Sequence, residues 1–209
     1  MTATAPRSAR ALSAILTRQD GLITWQQARQ QLSEKTVRHR VRTGRWRRVH
    51  RGLYLTGDGE VTEQQRLWIA SLGAGNGQPA LLAGTTALRL LGLDRPPGGG
   101  PIDVLVHSSR PDRDPPPAVR VHRTRRLSSV DQCPTIGPPC TTAARALVDA
   151  VEWAEDTLAA MLVLGAVHEQ RLVSSAQIRP VLARLPRLSR RELIEEIVFE
   201  GEWDLPWAA

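Results

Sequence analysis

Lys35 is the single lysine among the 28 basic residues of this 209-residue chain. Metal-dependent nucleases pair acidic metal ligands with a nearby lysine in a cleft. The acids Glu192, Glu195, Glu196, Glu200, Glu202 and Asp204 lie far along the chain from Lys35, on the polar face of a short expected helix and its tail, so no catalytic centre is expected there. Cysteine is almost as scarce. Cys133 and Cys140 have six residues between them and no second pair to complete a zinc site, so reduced thiols are the default and no metal is expected. The chain also lacks a glycine-rich phosphate loop and a serine nucleophile elbow, and no cofactor is expected. His107, His122 and His168 are scattered singly. The longest apolar run, Leu158 to Val167, is too short to span a bilayer. The opening MTATAPRSAR has no apolar signal core. A cytoplasmic protein with no membrane partner is the expectation.

What is abundant is arginine, and it is unevenly placed. Residues 1–55 hold 12 Lys+Arg against 2 Asp+Glu, whereas the remainder holds 16 against 19. A basic head on a nearly neutral body points to local nucleic-acid binding rather than general stickiness. The charge peaks in SEKTVRHRVRTGRWRRVHRGLYLT, residues 33–56, where seven of the fourteen residues from Arg38 to Arg51 are arginine. Ser33 suits a helix N-cap, Val37 and Val41 share one helix face, and Gly44 suits the left-handed residue that ends a helix. Trp46, Val49, Leu53 and Tyr54 then fit two short strands around a turn at Arg51-Gly52. Trp46 and Tyr54 are expected to seam these strands to the helices rather than to stack on bases.

Upstream, Leu12, Ile15 and Leu16 predict a helix over about Arg7 to Arg18, Leu22-Ile23 a short strand, and Thr24 with Gln27 a capping box opening a second helix. Helix, strand, helix, helix, hairpin is the order of a winged helix-turn-helix. In that arrangement Lys35, Thr36, Arg38, His39 and Arg42 face base edges, and Arg45, Arg47, Arg48 and Arg51 mainly contact phosphate or enter the minor groove.

The basic excess stops at Asp58-Gly59, giving an expected DNA-binding domain over 1–58 and a second domain over 59–209. In the second, Thr62 and Gln65 predict another capped helix, and Leu81-Leu82 a strand before a helix over about Thr85 to Leu91. Ile102, Val104 and Val106 alternate as a strand, and so do Val119 and Val121 after the proline-rich loop RPDRDPPP. Ser128 to Cys140 reads as irregular. Four apolar helical stripes follow, the second of them Leu158, Met161, Leu162 and Gly165. The fold class expected is therefore α+β, a winged helix-turn-helix joined to a mixed α/β domain with a helical second half. Arg120, Arg123, Arg125 and Arg126 form a second basic cluster, which fits either an additional DNA-backbone contact or a solvated strand edge. The C-terminal GEWDLPWAA either covers the last helix or meets a partner.

The segments LTRQDGLITWQQARQ and LSEKTVRHRVRTGRWRRVHRGLYLTGDG resemble the N-terminal domain of AbiEi-type antitoxins, most tellingly in GRWRRVHRGLY. LLAGTTALRLLGL, IDVLV, VRVHRTRRL and CTTAARALVDAV are similar to the second domain of the same proteins. The resemblance implies a toxin–antitoxin autorepressor that also neutralises a nucleotidyltransferase-like toxin. Its double-stranded DNA partner is expected to be inverted repeats upstream of its own operon, with two protomers on successive half-sites, because a single winged helix covers too little DNA for operator specificity. A plain regulator with a sensing domain, or a truncated endonuclease relative, would be the rival readings.

Overall fold

Leu12, Ile23, Ala28, Val37 and Trp46 come from five different elements and close on one another as a buried cluster. The computed structural model, which describes residues 7–94, 100–133, 137–201 and 203, builds those elements in the order the sequence predicts. They are α1 (Arg7–Arg18), β1 (Leu22–Thr24), α2 (Trp25–Gln31), α3 (Glu34–Arg42), β2 (Trp46–His50) and β3 (Leu53–Thr56). Thr24 makes a full capping box with Gln27 at the head of α2. The Ser33 hydroxyl accepts from Thr36 N at the head of α3. Each such cap contributes about 1 kcal/mol, which matters for helices of only two or three turns. The strands form an antiparallel sheet in the order β1-β3-β2, with a bulge between Arg48 and His50.

Downstream come α4 (Glu63–Ala74), β4 (Leu81–Leu82), α5 (Gly84–Leu90), β5 (Ile102–His107) and β6 (Val119–Thr124). A single 3-10 turn (Ser129–Asp131) leads into β7 (Gln132–Cys133) and β8 (Cys140–Thr141). The second sheet runs β6-β5-β4-β8-β7, with β5–β6 and β4–β8 parallel and the other pairs antiparallel. Ser128 to Cys140, expected to be irregular, instead holds the 3-10 turn, β7 and the start of β8. Its strands are two residues each, too short to show a period. β5 is covered on both faces, so four of its six residues are buried rather than alternate ones.

The helical half holds α6 (Ala143–Glu152), α7 (Thr157–Glu169), α8 (Ser175–Arg184) and α9 (Arg191–Glu195), which runs into a π turn at Glu196–Glu200. The fold is mixed α+β, with two sheets among the described residues. α6 lies at the centre, packed by α5, α7 and α8 and buried from Ala144 to Val151. α7 corrects the sequence reading. It buries Ala160, Val163, Leu164 and Val167, and turns the expected stripe of Leu158, Met161 and Leu162 to the surface. The helix is apolar nearly all round, so its period alone did not select the inner face. Of the C-terminal tail, Trp203 lies buried against His168 and donates from its indole nitrogen to Val173 O at 2.9 Å. Leu205 and Trp207 fall outside the described residues.

α4 belongs to both halves. Trp68, Leu72 and Ile69 pack on Leu22, Leu53 and Leu55 of the first sheet. Ala70 and Ala74, on its other side, join the main core with Leu82, Val104 and Val106. No helix among the described residues is long and apolar enough to cross a membrane.

Candidate nucleic-acid interface

α3 and the β2–β3 hairpin are held from beneath. Val37 is fully buried under α3 and Trp46 nearly so under the hairpin, with the Trp46 and Tyr54 rings 6.1 Å apart. The Arg40 guanidinium lies over Trp46 at 5.0 Å from its centroid, a cation–π contact that ties helix to hairpin. Gly44, at φ +72°, ends α3 with open space around it, and Gly52, at φ +68°, closes the hairpin. Both turns require the left-handed region that glycine enters without strain.

On the outer side Lys35, Thr36, Arg38, His39 and Arg42 share one open face of α3 with Glu34. Arg38 forms an ion pair with Glu34 one turn earlier, both side chains well exposed. Arg42 Nη2 lies 3.4 Å from His39 Nδ1. Exposed pairs of this kind contribute less than about 1 kcal/mol, so an incoming base or phosphate can replace them. The hairpin adds exposed Arg45, Arg47, Arg48 and Arg51. Arg47 differs from the rest, because its guanidinium donates to Gly59 O at 2.8 Å and holds the chain beyond the hairpin.

The second basic cluster divides. Arg123 donates to the carbonyls of Ser108, Arg110 and Pro111 and pairs with Asp112 at 2.6 Å. Arg126 donates to Arg184 O. Arg120 and Arg125 are exposed, with no bonded partner among the described residues. His122 between them points inward: it lies 2.8 Å from Asp103 Oδ1 and stacks on Trp153. Arg123 therefore braces a loop and Arg126 ties to the C-terminal residue of a helix, roles that sequence spacing does not distinguish from those of free cations.

Two features escaped the sequence. The loop 110–116 is a strap across the two halves. Arg113 donates to Arg51 O at the hairpin turn, and the His50 imidazole bonds Asp114 O at 3.1 Å. Pro116 sits against Gly73, where a Cβ would come within 2.4 Å of its ring. Arg110, its pKa lowered by burial, donates to the carbonyls of Gly75, Gln78 and Pro79. The second feature is a buried trio reached by a half-exposed fourth member: Arg145 pairs with Asp149 and Asp131, and Asp131 also takes Arg184 at 2.7 Å. The Arg145–Asp149 spacing of four on α6 is the only local sign of it.

No protein-family model matches this chain, and no curated protein does. Among solved structures, the crystal structure of the RV2827C protein from Mycobacterium tuberculosis is similar at a TM-score of 0.48 and 18% identity, over 87% of this chain and 73% of that one.

Proposed function

We propose that this chain is an antitoxin that represses its own operon. In this reading residues 1–58 are a winged helix-turn-helix, α3 is the recognition helix and the β2–β3 hairpin is the wing. The observation that carries it is the face of Lys35, Arg38, His39 and Arg42, exposed on α3, followed directly in the chain by the exposed Arg45, Arg48 and Arg51 of the hairpin. A fixed helix with exposed arginine and an adjacent basic hairpin suits major-groove reading with phosphate clamping on one side. The antitoxin half of the proposal is supported by the sequence resemblance to AbiEi-type proteins. Its partners would be inverted repeats upstream of the gene and a nucleotidyltransferase-like toxin.

Fluorescence-anisotropy titrations on the upstream duplex and a scrambled one, at several salt concentrations, test the DNA reading. Arg38→Ala should cost about 1–3 kcal/mol on the correct sequence, with little change on the scrambled one. Arg48→Ala should weaken both alike and lower the salt slope by about one unit. Arg48 is the cleaner wing variant, since Arg47 also holds Gly59. Absence of salt-dependent binding to the upstream region would sink the repressor reading. The antitoxin half is tested by co-expressing the chain with the product of the adjacent gene, where restored growth is the expected result.

A further inference from the structure

The chain has two cysteines, and the second sheet sets them opposite each other. β7 and β8 run antiparallel, with Cys133 the register partner of Cys140. Directly opposed residues point their side chains to the same face of a sheet, with Cα atoms about 4.5–5.5 Å apart. A disulfide spans Cα atoms about 4.4–6.8 Å apart, so the backbone already stands at bonding distance. Paired Cβ atoms, about 4.5–5.5 Å apart, have to close to about 3.5–4.5 Å, a shift of about 1 Å. β7 can make that shift, since it is two residues long and lies at the edge of its sheet, with β8 as its one strand neighbour among the described residues. The two thiols share a hydrogen bond but differ in access. Cys140 is fully buried in the main core, whereas Cys133 is half-buried at its border. Among the described residues no group of three or more His, Cys, Asp or Glu side chains could hold a metal ion, so the pair has no further ligands to make a zinc site.

We propose that Cys133 and Cys140 are a redox modification site, closed to a cross-strand disulfide by thiol–disulfide exchange with a small disulfide such as oxidised glutathione. Cys133 acts first, because it is the thiol that solvent reaches. Its thiolate attacks one sulfur of the incoming disulfide, which gives a mixed disulfide and releases one glutathione thiol carrying the Cys133 proton. The Cys140 sulfur then attacks the Cys133 sulfur, and the second glutathione thiol leaves with the Cys140 proton. Two protein thiols are thereby oxidised to one disulfide, and one small disulfide is reduced to two thiols. Burial, with the Cys133 thiol beside it, pushes the Cys140 thiol up to about 12. A thiol of high pKa is a poor leaving group, so a reductant that attacks Cys133 displaces Cys140 slowly, and the bond once made persists. What the bond fastens is the outer edge of the second sheet. Asp131, just before β7, already takes Arg145 and Arg184, and its carbonyl accepts from Thr142 N at 2.8 Å. The disulfide adds a covalent tie two residues further along the chain.

Equilibration of the full chain in glutathione buffers, followed by acid quenching, alkylation and mass spectrometry, tests it. The folded chain should form the intramolecular disulfide. It should be half-oxidised at a ratio of squared reduced to oxidised glutathione at least about tenfold higher than the same chain held in urea, because the fold presents the two thiols to each other. By the same linkage the oxidised chain should unfold at a higher urea concentration than the reduced one. Cys140→Ala should stop at a glutathione adduct on Cys133, and Cys133→Ala should take up no adduct, each with the native circular-dichroism spectrum. A folded chain oxidised no more readily than the unfolded one overturns the proposal, and that comparison requires neither variant to fold. So does a native chain that accumulates the Cys133 adduct without closing the disulfide. An adduct on Cys140 in folded Cys133→Ala overturns the order of the two steps.

Discussion

Arg145 is almost wholly enclosed, yet it carries a full charge, and three neighbours make that tolerable. Its Nε donates to both carboxylate oxygens of Asp149, and its Nη1 reaches Arg126 O and Asp131. A buried guanidinium cannot shed its proton, and loss of its side chain strands Asp149 and leaves Asp131 with Arg184 as its one cationic partner among the described residues. Arg145→Met should therefore destabilise the fold by about 3–5 kcal/mol in urea melts, far more than its surface area would indicate. Asp149 behaves differently, because burial pushes its carboxyl up to about 7 although Arg145 pulls the other way. A folded-state pKa above the unfolded value near about 4 means that the native state holds the proton over that interval. The contribution of Asp149 to stability must then decline as pH rises from about 4 to about 7. Asp149→Asn should remove this decline, so that native and variant stability curves diverge between about pH 4 and about pH 7. Parallel curves across that interval would contradict the assignment.

At the level of elements, what could be read beforehand was whatever is fixed locally. The capping boxes at Thr24 and Thr62 bind only their own helix, and both helices begin where those residues place them. Gly44 ends α3 for the same local reason, and α8 buries Ile178, Val181 and Leu182 as its period implies. The basic face of α3 was legible because a buried Val37 leaves its charged neighbours nowhere to go but outward. What escaped depends on residues distant in sequence. α7 has two apolar faces, and only its neighbours decide which one is inside. The role of Arg123 is set by carbonyls of another loop, and the strap by Arg51, 62 residues away from Arg113. That strap yields its own prediction. Arg113→Ala should speed amide exchange at residues 51–52 and 110–116 by about tenfold, because local opening free energy falls where a crossing bond is removed. Hydrogen-exchange mass spectrometry measures it, and the helical half should exchange as before.

Across the whole molecule, the two sheets are joined through the interior of α4 rather than by a tether. Trp68 and Leu72 grip one sheet while Ala70 and Ala74 are set into the core of the other. A flexible linker lets a DNA-reading head swivel to meet its half-site wherever that lies on the duplex. This chain has no such swivel at α4. If two copies occupy successive half-sites in contact with each other, as the proposed function would have it, the angle between their first halves is set by packed side chains, and so the tolerated rotation between half-sites is small. The operator becomes a question of helical phase. Adding about 5 bp between the half-sites turns one of them to the opposite side of the duplex and should abolish cooperative binding. Adding about 10 bp restores the side at the cost of distance, and should recover binding only as far as the duplex can bend. If the proposed function holds, footprinting over such a spacer series would read α4 as the part that gives the protein a sense of which way the double helix is facing.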